Sequence, residues 1–154
     1  MKLTAVAVVI LALGIVAGCG GGSSEPTPTA TPTAPPTRAL NGTMTLDNGF
    51  IPSGSDANAK VGRNCRGEGG YDDIQEGTQV TVRDETDAII GTGRLSQGKL
   101  TASGFFGKCR FEFTIRDVPE AGFYTIEVSR RGGLTYSAEE LDGLSWMVAF
   151  TLGN

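Results

Sequence analysis

The chain contains no histidine. That absence removes the Ser–His and Cys–His nucleophile pairs, in which an imidazole takes the proton of the attacking hydroxyl or thiol. It also weakens any transition-metal site, because such sites draw their ligands mostly from His and Cys and only three cysteines are present. An excess of one charge is missing too. The sequence has 13 Lys+Arg and 17 Asp+Glu, a net charge of −4 with no block of either sign. Without a basic patch to neutralise phosphates, nucleic acid is not an expected partner. A single tryptophan leaves no aromatic cluster that would stack a sugar beside paired carboxylates. Carboxylate or lysine chemistry stays open, but these absences together predict a non-catalytic protein without a cofactor.

Long apolar runs are scarce as well, with one exception. Leu3 to Ala17 is nearly unbroken and uncharged, and it follows Lys2. It is short for a spanning helix, which needs about 20 residues, and fits the core of a signal peptide. It ends in Val16-Ala17-Gly18-Cys19, which resembles the lipobox of bacterial lipoproteins. The resemblance implies a signal peptide over residues 1–18 and cleavage before Cys19. The Cys19 thiol would carry diacylglycerol, and its freed amine a further acyl chain. Two or three chains anchor a protein stably where one holds it only marginally. The expected location is then the extracytoplasmic face of a cell membrane. An ordinary secretory signal followed by a free cysteine is the competing reading.

Residues 19–39 read as the lipidated cysteine and a tether. Gly20-Gly21-Gly22-Ser23-Ser24 is a flexible run, and Pro26 to Thr37 alternates Pro, Thr and Ala with no large apolar residue. In polyproline II, at ~3.1 Å per residue, the Pro/Thr stretch would reach about 35 Å. Its threonines would serve either as O-glycan acceptors or as a bare spacer.

Residues 40–154, about 115 of them, suit one domain. With Cys19 lipidated, Cys65 and Cys109 remain as an even pair in an oxidising compartment, which predicts a disulfide. A reactive or metal-binding pair is the alternative. The domain reads as strands of period two: Thr43 to Leu46, Gln79 to Arg83, a strand opening at Ala88-Ile89-Ile90, and Tyr124-Ile126-Val128. Cys109, Phe111, Phe113 and Ile115 share one face of another run. Leu144, Trp146, Val148, Phe150 and Leu152 share a face of the last. Gly91 and Gly93 suggest a bulge or a close crossing. Leu95 to Leu100 looks like a hairpin turn, and Asp84, Glu85 and Asp87 like a polar one. Ser137-Ala138-Glu139-Glu140 matches a capping box, so a short helix with Leu141 inward and Gly143 at its end precedes the last strand. The expected fold is all-β, a small antiparallel sandwich or barrel.

Two further resemblances bear on that fold. Gly122-Phe123-Tyr124-Thr125-Ile126-Glu127-Val128, after Val118-Pro119, is similar to a strand of immunoglobulin-like and transthyretin-like sandwiches. A wider pattern resembles uncharacterised secreted domains and lipoproteins of actinobacteria. It comprises Cys65, Gly67, Gly69-Gly70-Tyr71, Asp73-Ile74, Cys109, Phe111, Phe113, Pro119, Tyr124 and Arg131-Gly132. It implies fold and location and brings no catalytic residues.

The most unusual stretch is Arg66-Gly67-Glu68-Gly69-Gly70-Tyr71-Asp72-Asp73. Glu68, Asp72 and Asp73 are candidate calcium ligands, although the spacing is not that of an EF-hand and calcium takes six to eight oxygens. A glycine-shaped turn with solvated carboxylates is the simpler reading. Arg130-Arg131 is expected at a strand end. Asn41-Gly42-Thr43 fits an N-glycosylation pattern. The function expected is that of a membrane-anchored envelope protein whose domain binds a protein, a glycan or a small ligand, or acts as a scaffold. The alternative is a calcium-stabilised adhesion domain, and behind both stands an enzyme using carboxylates.

Overall fold

The computed structural model describes residues 35–53, 60–102 and 107–153. The expected signal peptide, Cys19 and most of the expected tether lie outside the described residues. Ala34–Asn154 form one compact unit.

Among its described residues are ten strands, one α-helix and a single 3-10 turn. In chain order the strands and the α-helix are β1 (Thr37–Leu46), β2 (Phe50–Pro52), β3 (Asn64–Gly67), β4 (Gln79–Arg83), β5 (Ile89–Arg94) and β6 (Gly98–Leu100). Then come β7 (Cys109–Pro119), β8 (Phe123–Val128), β9 (Gly133–Ser137), α1 (Ala138–Gly143) and β10 (Met147–Leu152). The strands form two sheets, one of six in the order β10-β1-β7-β6-β3-β2 and one of four in the order β5-β4-β8-β9. Their inner faces share a single core, so the all-β, sandwich-like architecture expected from the periodicity is present.

Period two drives this arrangement, because alternate side chains on a strand point to opposite faces. Along β7, Cys109, Phe111, Phe113 and Ile115 are buried while Arg110, Glu112 and Thr114 are exposed. Tyr124, Ile126 and Val128 repeat the pattern on β8, and Val148 and Phe150 on β10. One pairing departs from the antiparallel expectation. β10 runs parallel to β1, with Asn41 opposite Met147 and Leu46 opposite Leu152. The helix and turn between β9 and β10 return the chain so that β10 enters beside β1 in that direction.

Three other expectations change. β1 begins at Thr37 and pairs with Pro119, so Thr37 to Ala39 belong to the sheet and not to the tether. Arg38 is held there by Asp142 at 2.8 Å, and its guanidinium lies 5.5 Å from the Trp146 ring centroid. Leu95 to Leu100 is no hairpin. β5 belongs to the four-stranded sheet and β6 to the six-stranded one, so this segment crosses between them, with Leu95 and Leu100 buried on the way. Cys65 sits on a strand, β3, where the periodicity predicts none.

The close crossing expected at Gly91 and Gly93 is present. A Cβ on Gly93 would lie 2.7 Å from Ile115 Cγ1 and 3.1 Å from the Thr114 carbonyl oxygen, so β5 packs backbone-first on β7. The polar turn forms as well. The Asp84 carboxylate accepts from the Thr86 N–H at 2.8 Å and the Thr86 hydroxyl at 2.6 Å, and Asp87 takes a left-handed φ of 65°. These bonds, led by the Thr86 hydroxyl, hold the Asp84 carboxyl below the ordinary aspartate range. At the corner between β7 and β8, the Tyr124 hydroxyl accepts from the Ala121 N–H at 2.7 Å and donates to the Pro119 carbonyl.

The capping box closes α1. Ser137 Oγ accepts from the Glu140 N–H at 3.2 Å and Glu140 Oε2 accepts from the Ser137 N–H at 2.7 Å. Those contacts to the Ser137 backbone and hydroxyl hold the Glu140 carboxyl below the usual glutamate range. Leu141 is fully buried. Past Gly143 the chain turns through left-handed Ser145 and Trp146. Leu144 is therefore half exposed, while Trp146 packs edge-on against Tyr124 and donates to Asp142 at 2.7 Å.

Candidate functional site

The glycine-rich loop is built around the disulfide. Cys65 on β3 and Cys109 at the start of β7 are bridged, with Cα atoms 5.9 Å apart. Both side chains are buried, and β6 lies between their strands. Past Gly67 the chain makes a tight turn over Gly69–Tyr71. Gly67 has no room for a side chain, because a Cβ there would strike the Tyr71 carbonyl. The Gly67 N–H donates to the Ile74 carbonyl at 2.8 Å, which folds the loop back on itself.

The loop carboxylates do not converge on an ion. Asp73 is bound by the Arg131 guanidinium, which also donates to the Gly70 carbonyl and stacks 5.2 Å from the Tyr71 ring centroid. Those hydrogen bonds hold the Asp73 carboxyl below its ordinary value, against a smaller opposing effect of burial. They raise the guanidinium of Arg131 above its own. Among the described residues, no three acidic or thiol side chains come close enough to share a metal. Glu68, Asp72 and Asp73 are thus not assembled as a calcium set: the charge on Asp73 is already balanced by an arginine. Arg131 lies just beyond the end of β8, at the strand end expected for it. Its role in clasping the loop had no signal in the sequence, because its partner lies 58 residues away.

Two other surfaces stand out among the described residues. The outer face of the six-stranded sheet carries Asn41, Thr43, Arg110, Glu112, Thr114 and Lys99 around shallow hollows of about 240 and 330 Å³. Thr114 donates to Asn41 Oδ1 at 2.8 Å, so the Asn41-Gly42-Thr43 pattern lies mid-strand, with its amide engaged. This face is polar and open and suits hydrogen-bonded contact more than enclosure of a small molecule. The other surface is a groove of about 260 Å³ between β9 and β10, where the two sheets part at their edges. Met44, Val128, Leu134, Phe150 and Leu152 give it an apolar floor. Comparison of the chain with protein-family models, with curated proteins and with solved structures finds no match.

Proposed function

We propose that this chain is a lipoprotein anchored through Cys19 on the extracytoplasmic face of a cell membrane, with a β-domain that binds or scaffolds and does not catalyse. The observation that carries the reading is the Val16-Ala17-Gly18-Cys19 motif at the end of the apolar run. The pairing of Cys65 with Cys109 supports it twice over: it suits an oxidising compartment, and it leaves Cys19 as the remaining thiol. The entry of the tether into β1, between β10 and β7, supports a role in holding the domain off the membrane. The partner proposed is an envelope protein or glycan, met on the polar outer face around Asn41, Arg110 and Glu112. The calcium-stabilised reading draws no support from the loop, because Arg131 occupies Asp73.

Mass spectrometry of the mature N-terminus tests the anchor. The expected species begins at an acylated Cys19, and Cys19→Ala should abolish acylation and leave the protein as precursor or released from the membrane. An unmodified Cys19 thiol in the wild type would overturn the reading.

A further inference from the structure

Among the described residues, four strands end the two sheets: β10, β2, β5 and β9. An edge exposes unpaired backbone donors and acceptors, and proteins blunt it with charge, proline, glycine bulges or shortness. β2 is three residues long and ends in Pro52. β5 contains Gly91, Gly93 and Arg94 and packs on β7, and β9 opens at Gly133. β10 carries none of these devices. Its sequence, Met147-Val148-Ala149-Phe150-Thr151-Leu152, has no charge, proline or glycine. Its neighbour β1 is also uncharged from Ala39 to Leu46. We propose that the free edge of β10 pairs antiparallel with β10 of a second copy of this chain, joining two six-stranded sheets into one.

The backbone directions support a two-fold pairing. Trp146 and Leu152 present their carbonyls to β1, accepting from the Asn41 and Asp47 N–H groups at 2.9 Å each. In a parallel ladder every second residue faces its neighbour, so Val148 and Phe150 also face β1 while Met147, Ala149 and Thr151 face outward. A two-fold axis at Ala149 then lets each Ala149 exchange both backbone bonds with the partner's Ala149. Each Thr151 N–H reaches the carbonyl of the partner's Met147. The Met147 N–H is already spent on the Leu144 carbonyl, so nothing further is asked of it.

Side chains agree with that register. Antiparallel partners directly opposite share a face, so Val148 meets the partner's Phe150 on the inner side. There the incoming strand lies over the apolar groove, whose far wall is Leu134, half exposed on β9. Met147, which is 61% exposed, meets the partner's Thr151 on the outer side. A two-fold interface places each group near its own equivalent. A charged edge would repel itself there, and this one holds no charge.

The test uses the chain as cells produce it, in membranes and in mild detergent. Ala149→Cys should form a disulfide-linked dimer on mild oxidation, since opposed antiparallel Cα atoms lie about 5.5 Å apart, within bridging range. Thr43→Cys, opposite Ala149 on β1 and one strand further from the axis, should not. In detergent the wild type should sediment as a dimer. Ala149→Lys, an exposed change that sets two ammonium groups face to face, should sediment as a monomer with its melting temperature retained. A monomeric wild type, equal crosslinking from Thr43→Cys, or a dimer unchanged by Ala149→Lys would each overturn the proposal. So would an Ala149→Cys adduct whose mass shows a different polypeptide.

Discussion

Arg131 shows how much one side chain can settle. It closes the glycine-rich loop by binding Asp73, capping the Gly70 carbonyl and covering the Tyr71 ring. The acidic residues of that loop were legible in the sequence as a cluster of oxygens. What they bind was not, because sequence spacing says nothing about a cation arriving from the far end of another strand. The depressed Asp73 carboxyl has a consequence for pH. The charged form is favoured in the fold, so the ion pair contributes fully above the unfolded value of about 3.9. The contribution is lost as pH falls below that and through the folded value. Asp73→Asn should therefore cost about 1 kcal/mol near neutral pH, the size of a partly exposed, hydrogen-bonded ion pair. Urea midpoints measured from neutral to strongly acidic pH should show wild type and variant converging at the acid end. A gap that does not change with pH would mean that the pair is not what stabilises the loop.

At the scale of elements, period two made β4, β7, β8 and β10 legible, and the capping box made α1 legible. The short strands β2 and β3 were not, because three or four residues carry too little pattern, and β9 was not because no buried and exposed residues alternate along it. Leu95 to Leu100 was misread for a different reason. Buried leucines flank a polar turn in a hairpin and in a crossing between sheets alike, and only pairing in three dimensions tells them apart. Gly91 and Gly93 were informative because a strand interior otherwise disfavours glycine. Their packing on Ile115 yields a test. Gly93→Ala should destabilise by about 1–3 kcal/mol, the usual cost of overpacking. Gly122→Ala, where an added Cβ meets nothing closer than Glu85 Oε1 at 3.9 Å, should not. Chemical denaturation of both variants checks this, and equal stabilities would show that β5 can slide off β7 without penalty.

For the whole molecule, the disulfide was the long-range contact that counting cysteines could foresee. It joins residues 44 apart and fastens β3, with the glycine-rich loop behind it, to the core strand β7. The groove between β9 and β10 was not foreseeable, since it depends on which strands end up at the edges. Replacing Cys65 and Cys109 together with Ala should lower stability by about 2–5 kcal/mol, as expected for a native bridge in a small domain. Denaturation of the double variant, and of the wild type under reductant, should agree. Thiol labelling of the unreduced native protein should find neither Cys65 nor Cys109 reactive.

The parallel pairing of β1 with β10 also decides how the domain bears tension. The strands point the same way, so Thr37 and Leu152 lie at opposite ends of the ladder. Force drawn between those two points runs along the strands and shears their hydrogen bonds. The bonds then share the load together instead of opening one after another like a zip. β1 is gripped on its other flank by β7 over most of the same length, so the segment that receives the pull is held on both sides. A protein strained through its first and last strands would yield late and abruptly.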